Sequence, residues 1–96
     1  MKSIYLRSSG VLKEFFGKEP QKISLEDHAS IDDLMQYINL KWGTSLPSYL
    51  WDPINCQFKG PIYLLLNNSI VKDFKTDLPE GSEVQLLIAL TGGYSF

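Results

Sequence analysis

The sequence predicts an α+β domain in which a mixed sheet of about five strands carries one main helix across one face. Residues 3–9 and 83–90 alternate apolar and polar positions with the two-residue period of half-buried strands. Between them, the segment from Ser30 to Trp42 repeats apolar residues at the three- and four-residue spacing of a helix with one apolar face. The order is hairpin, helix, strand, short strand, strand, with no internal repeat and no domain boundary. A helix laid over one sheet face buries its stripe and the inward strand positions together.

In the first strand Ile4 and Leu6 share one face and Tyr5 and Arg7 the other, and Gly10 ends it. Val11, Leu12, Phe15 and Phe16 then recur at helical spacing, so a short helix or single turn is expected, with Gly17 as its stop. Residues 20–27 alternate again, with Ile23 and Leu25 on one face. Pro20 stands first, where a missing donor costs least. These two strands are expected to pair as a long-looped hairpin. In the helix Ser30 caps the N-terminus, Asp33 three residues on completes a capping box, and Asp32 complements the macrodipole. Ile31, Leu34, Met35, Ile38 and Trp42 form the stripe, and Gly43 is the expected stop.

Residues 44–60 read as irregular because of Pro47, Asp52-Pro53 and Gly60. They also hold Leu46, Tyr49, Leu50, Trp51, Ile54 and Phe58, so the segment is expected to pack on the body, with a short helix at 47–50. A structureless loop of this length would be unusual, but no chemistry is assigned to it. Residues 61–67 are a dense apolar run of strand type, and Asn67-Asn68-Ser69 suits a tight turn into Ile70-Val71. Leu78-Pro79-Glu80-Gly81 is a second turn. The closing strand sets Val84, Leu86, Ile88 and Leu90 on one face and Gln85, Leu87 and Ala89 on the other. Residues 91–96 have no periodicity and are expected to be mobile. The domain is thus expected to span 1–91, with 92–96 a flexible diglycine tail and its three-residue extension.

Ninety-six residues with 44% apolar content suffice for one core, since a chain of this size buries about 60 to 65% of its extended surface. The net charge of −2 comes without a long run of either sign, so neither nucleic acid nor an anionic membrane is implied. Cys56 and His28 each stand alone, which excludes an internal disulfide or a Cys/His metal cluster. No segment approaches the roughly 20 apolar residues of a membrane span, and the N-terminus lacks a signal-peptide pattern. A reducing cytoplasm is the expected location, and no cofactor is expected.

The element order, the segment Leu66-Asn67-Asn68-Ser69-Ile70-Val71, the turn from Leu78 to Val84 and the closing Thr91-Gly92-Gly93 carry a family likeness. Together they resemble the ThiS/MoaD family of sulfur carriers, within the β-grasp, ubiquitin-like superfamily. That family includes the thiamine-biosynthesis carrier and the small subunit of molybdopterin synthase. The likeness covers nearly the whole chain through short motifs. Two departures stand out. Ser82 occupies a position that is usually acidic in the family, a change expected to lie at the surface. Tyr94-Ser95-Phe96 follow the diglycine, which in the family normally comes last.

A carboxylate is a poor electrophile because its charge is shared over two oxygens, so it must be activated before sulfur or an amine attacks. An activating enzyme needs that carboxylate on a thin leader, and glycine, with no side chain, supplies one. The resemblance implies that Gly93, behind Gly92, is the reacting residue once a peptidase, expected to be a metallopeptidase, has removed Tyr94–Phe96. An E1-like partner would adenylate it, and the thiocarboxylate would pass sulfur to a biosynthetic enzyme, as in molybdopterin or thiamine biosynthesis. The chain would then be no enzyme. His28, Asp52, Asp77 and Glu83 fit this, since they lie on different elements without nucleophile–base spacing. Two alternatives are a modifier joined to lysine through the same glycine, and a non-covalent interaction module or subunit.

Strand parity places Tyr63 and Leu65 beside Gln85, Leu87 and Ala89 on the sheet face away from the helix, with Thr91 leading on to the diglycine. Exposed, this patch would be a partner site, and the resemblance implies docking of the activating enzyme there. Otherwise the loop holding Trp51 and Phe58, or a second copy of the chain, covers it. Cys56 is expected to be a small packed side chain, His28 a surface or capping residue, and Trp42 and Trp51 core or near-core residues.

Overall fold

The structure is a computed structural model, and residues 1–59 and 62–88 are described. The strands are β1 (Lys2–Ser8), β2 (Gln21–Leu25), β3 (Trp51–Asp52), β4 (Gln57–Phe58), β5 (Ile62–Leu66), β6 (Ser69–Ile70) and β7 (Glu83–Ile88). The helices are α1 (Lys13–Phe16), preceded by a 3-10 turn at Gly10–Leu12, and α2 (Ile31–Trp42). Five strands form one sheet in the order β2-β1-β7-β5-β6, and β3 and β4 pair separately. β1 runs parallel to β7, and every other neighbour in the large sheet is antiparallel. The expected mixed sheet and single long helix are therefore present.

Alternation decides which way each strand faces. Ile4 and Leu6 of β1, Ile23 and Leu25 of β2, Ile62 and Leu64 of β5, and Val84 and Leu86 of β7 are buried in the core. The stripe Ile31, Leu34, Met35 and Ile38 of α2 joins them in one cluster with Leu12, Phe16, Leu46, Leu50, Trp51 and Leu78. Each such side chain contributes roughly 1.5–3 kcal/mol by leaving water. Trp42, at the end of the stripe, is half-buried and packs its ring edge-on to Phe16, centroids 4.8 Å apart.

The start of α2 is satisfied from two directions. Ser30 N–H donates to Asp33 Oδ2 at 2.8 Å, the reciprocal arm of the capping box. Ile31 and Asp32, whose N–H groups have no partner within the helix, donate to the Thr76 and Phe74 carbonyls at 3.0 and 2.9 Å. At the other end α2 stops at Gly43, as expected, but without a left-handed turn. Gly43 stays right-handed, at φ −54° and ψ −38°, and donates to the Asn39 carbonyl. The chain winds on through Ser45 and Leu46, both donating to the Trp42 carbonyl, because that path brings Leu46 into the core.

Residues 44–59 are more regular than their composition implies. The expected helix at 47–50 is a single turn, in which Leu50 and Trp51 N–H donate to the Pro47 carbonyl. β3 and β4 then form a small hairpin, Trp51 opposite Phe58 and Asp52 opposite Gln57. Trp51 is 1% exposed, its ring lies edge-on to Phe58 at 4.7 Å, and its indole N–H donates to Asn39 Oδ1 at 2.8 Å. Phe58 also meets Phe16. The hairpin thus closes the core beside α2 and does not fold over the open sheet face.

The hairpin turns match their sequence signals. Asn67 and Asn68 both have positive φ, 48° and 74°, as a two-residue turn between β5 and β6 requires. In the 78–82 turn, Gly81 at φ 77° donates to the Ser3 carbonyl at 2.7 Å and so ties the turn to β1. Ser82, expected at the surface, is only 2% exposed: its hydroxyl donates to the Pro79 carbonyl and its own carbonyl accepts from Tyr5 N–H. It is a structural part of the turn. The expected tail at 92–96, and the domain limit at 91, lie outside the described residues.

Candidate functional site

The sheet face away from α2 gathers the residues that strand parity singled out. Tyr63 lies opposite Leu87 and Leu65 opposite Gln85 across the β5–β7 ladder. Tyr63 is 49% exposed, and Leu65, Gln85 and Leu87 are half-buried. Ala89 and Thr91, expected to continue this face, and Gly92 and Gly93, the expected reactive end, lie outside the described residues.

One residue belongs to this face that strand reading missed. Ile70 of β6 sits opposite Leu65 and is 58% exposed. Opposed residues in an antiparallel pair project to the same side, so Tyr63, Leu87, Leu65 and Ile70 form a continuous apolar surface. The signal that identifies it is register: the Asn67-Asn68 turn fixes Leu66 opposite Ser69, and hence Ile70 opposite Leu65. Arg7 adjoins Gln85 across the β1–β7 ladder, and its Nε donates to Glu83 Oε2 at 2.8 Å. The apolar surface therefore has a polar rim on its β1 side.

The remaining polar residues do not converge. His28 and Asp77 are exposed, and Glu83 is engaged with Arg7. Asp52 closes the β3–β4 turn, accepting from Asn55 Nδ2 at 2.7 Å and from the Ile54 and Asn55 N–H groups. The Asn55 side chain, then its backbone N–H, holds the Asp52 carboxyl below its usual range. Cys56 is half-buried against the core, with its Sγ 3.8 Å from the Pro53 carbonyl. Among the described residues no group of His, Cys, Asp and Glu is arranged to hold a metal ion, and no helix is long and apolar enough to cross a membrane.

Solved structures share this architecture over almost their whole length. SAMP1 from Haloferax volcanii superposes with a TM-score of 0.75 at 18% identity, covering 95% of this chain and 99% of the other. The architecture is a β-grasp fold. Urm1 from Trypanosoma brucei matches this β-grasp chain with a TM-score of 0.73 at 17% identity, covering 96% of each. A putative molybdopterin converting factor, subunit 1, from Pyrococcus furiosus gives 0.68 at 15%, covering 90% of this chain and 95% of its own. No family model matches the sequence, and no curated protein matches it. The likeness is one of three-dimensional form.

Proposed function

We propose that the chain is a sulfur carrier whose reacting group is the Gly93 carboxylate, exposed by removal of Tyr94–Phe96. The observation that carries this reading is the placement of β7. It lies in the middle of the sheet, it borders the apolar face through Leu87, and the sequence beyond it runs to Gly92-Gly93. An E1-like adenylating enzyme docks on Tyr63, Leu65, Ile70, Gln85 and Leu87, with Ala89 and Thr91 continuing the contact. A rigid strand then aims the glycine leader into that enzyme's site. The β-grasp form shared with a molybdopterin converting factor subunit supports the same reading.

In the reaction, a Gly93 carboxylate oxygen attacks the α-phosphorus of ATP and pyrophosphate leaves. Hydrosulfide then attacks the acyl carbon and expels AMP, which leaves a thiocarboxylate. On a sulfur-accepting biosynthetic enzyme the sulfur passes to the acceptor, and oxygen from water, or from the acceptor group that the sulfur displaces, restores the carboxylate. The carrier contributes shape and a leader rather than acid–base side chains, and no cofactor.

A second reading is favoured by the match to H. volcanii small archaeal modifier protein 1, at a TM-score of 0.73 and 15% identity. In it the same acyl-adenylate is attacked by a lysine amine and an isopeptide forms. One experiment separates the two. A chain ending at Gly93 and one continuing through Phe96 are each incubated with an E1-like enzyme, ATP and sulfide, and their intact masses are measured. The carrier reading expects one oxygen-to-sulfur exchange in the shorter chain and none in the longer. Lysine conjugates on a gel without that exchange select the modifier. Full function of a chain that still carries Phe96 overturns both.

A further inference from the structure

Among the described residues nothing covers the open sheet face. α2 and the core cluster take the opposite face, and the β3–β4 hairpin closes the core beside α2. Tyr63 and Ile70 are therefore left half exposed or more. A contiguous apolar patch of this kind marks a contact site. The chain carries an occupant of matching chemistry: eight residues follow Ile88, and they include the aromatic pair Tyr94 and Phe96.

Three features fit that segment to this face. The first is direction. At the exit of β7, Ile62 lies opposite Ile88, whereas the β1 ladder stops at Leu86, and Ile88 itself packs on the core. A chain that reverses after Ile88 thus meets free apolar surface on the open side. The second is reach. At about 3.3 Å per residue, residues 89–91 lead about 10 Å outward, and a reversal at Gly92-Gly93, where glycine accepts a positive φ without steric cost, returns residues 94–96 over a similar distance. That brings the rings back to the end of β7, where Tyr63 and Leu87 oppose each other, while Leu65 and Ile70 lie one repeat further in. The third is pitch. In an extended segment Tyr94 and Phe96 project to one side and Ser95 to the other, the same two-residue repeat that separates Tyr63 from Leu65. A segment tethered through a short linker meets its site at an effective concentration on the order of millimolar. Two aromatic contacts too weak to hold separate molecules together are then populated within one chain.

We propose that Tyr94 and Phe96 fold back on Leu87 and Tyr63 and cover that end of the open face until the Gly93–Tyr94 bond is hydrolysed. The contact itself does not depend on carrier chemistry. Its consequence for docking rests on the carrier reading: one hydrolysis frees the glycine carboxylate and uncovers the docking surface together, so unprocessed chains do not occupy the adenylating enzyme.

The test compares three chains by NMR: residues 1–96, residues 1–93, and the full chain with Tyr94→Ser and Phe96→Ser together. In the first, nuclear Overhauser contacts are expected from the Tyr94 and Phe96 rings to the Leu87 methyl groups and the Tyr63 ring. The other two chains are expected to lose the ring-current shifts at Leu87 and Tyr63 alike, with Ile70 changing least and the core residues Val84 and Leu86 unmoved. Absence of those contacts overturns the proposal, as do Leu87 shifts that follow truncation but not the serine double variant. Shifts that extend equally to Ile70 and vanish on dilution also overturn it, because they identify a second copy of the chain as the occupant. Calorimetry against an E1-like adenylating enzyme then tests the masking. The serine double variant, still extended beyond Gly93, is expected to bind about fivefold or more tightly than the parent, the factor by which a mostly closed segment lowers the competent fraction. Equal binding of the two overturns the masking and leaves the carrier reading to the mass of the 1–93 chain. Binding by none of the three overturns the carrier reading, and the contact is then decided by the NMR alone.

Discussion

Strand β7 presents two surfaces that differ by one residue in parity. Val84 and Leu86 are 0% exposed and lie among the core residues. Gln85 and Leu87, on the same backbone ladder, are half-buried and border Tyr63, Leu65 and Ile70 on the open face. A pleated strand lets one segment serve the core with alternate residues and recognition with the others. The consequence is that neighbouring substitutions in β7 affect different properties. Those at 84 and 86 are expected to change whether the protein folds, and those at 85 and 87 to change binding at the proposed docking face.

The sharpest way to break that contrast is Leu86→Ala. Truncating a fully buried leucine removes transfer energy and leaves a cavity, so urea unfolding is expected to show a loss of about 2–5 kcal/mol. Leu87→Asp comes next. A charge within the proposed docking surface is expected to weaken binding to the proposed adenylating partner by about a hundredfold, an anchor-residue effect, with a urea midpoint close to the parent's. Calorimetry of the pair measures it. If Leu87→Asp unfolds the chain as readily as Leu86→Ala does, the division by parity is wrong.

Smaller effects test the far end of the core. Trp51→Phe keeps most of the buried ring but leaves the Asn39 Oδ1 without its indole donor. The expected cost is about 1–2 kcal/mol in denaturant unfolding, with partner binding unchanged. The smallest effect is at Asp52. Its folded-state pKa is lowered, first by the Asn55 side chain, so the ionised carboxylate stabilises the turn at pH above the ordinary carboxylate range. That contribution is lost as pH falls through the lowered value. Asp52→Asn is expected to flatten the acid side of the melting-temperature profile slightly, and a profile as steep as the parent's would remove Asp52 from the account.

Much of this architecture could be read from the chain because local and tertiary demands agree. The Ser30/Asp33 pair, the stripe from Ile31 to Ile38 and the alternation in β1 and β7 each signal the same element that packing requires. The β3–β4 hairpin was not legible. Its strands are two residues long, too short to show a period, and the pairing of Trp51 with Phe58, which in turn meets Phe16, is a matter of packing. Gly43 ends α2 as its sequence position signals, but it stays right-handed, since the path onward takes Leu46 into the core. On the open face Tyr63, Leu65, Gln85 and Leu87 followed from parity alone, whereas Ile70 needed the register of the Asn67-Asn68 turn, a non-local fact.

The parallel pairing of β1 with β7 joins Tyr5 to Glu83 and Ser8 to Leu86, and this bears on how the chain is made. β1 is made well before β7 and waits for it before its inner ladder closes. Long sequence separation of this kind slows folding. It also means that a chain cut short before β7 leaves the inner edge of β1 unpaired, the sort of surface that chaperones and proteases recognise. Only molecules translated past Ile88 can bury that edge, so assembly itself screens out premature products before any partner meets them.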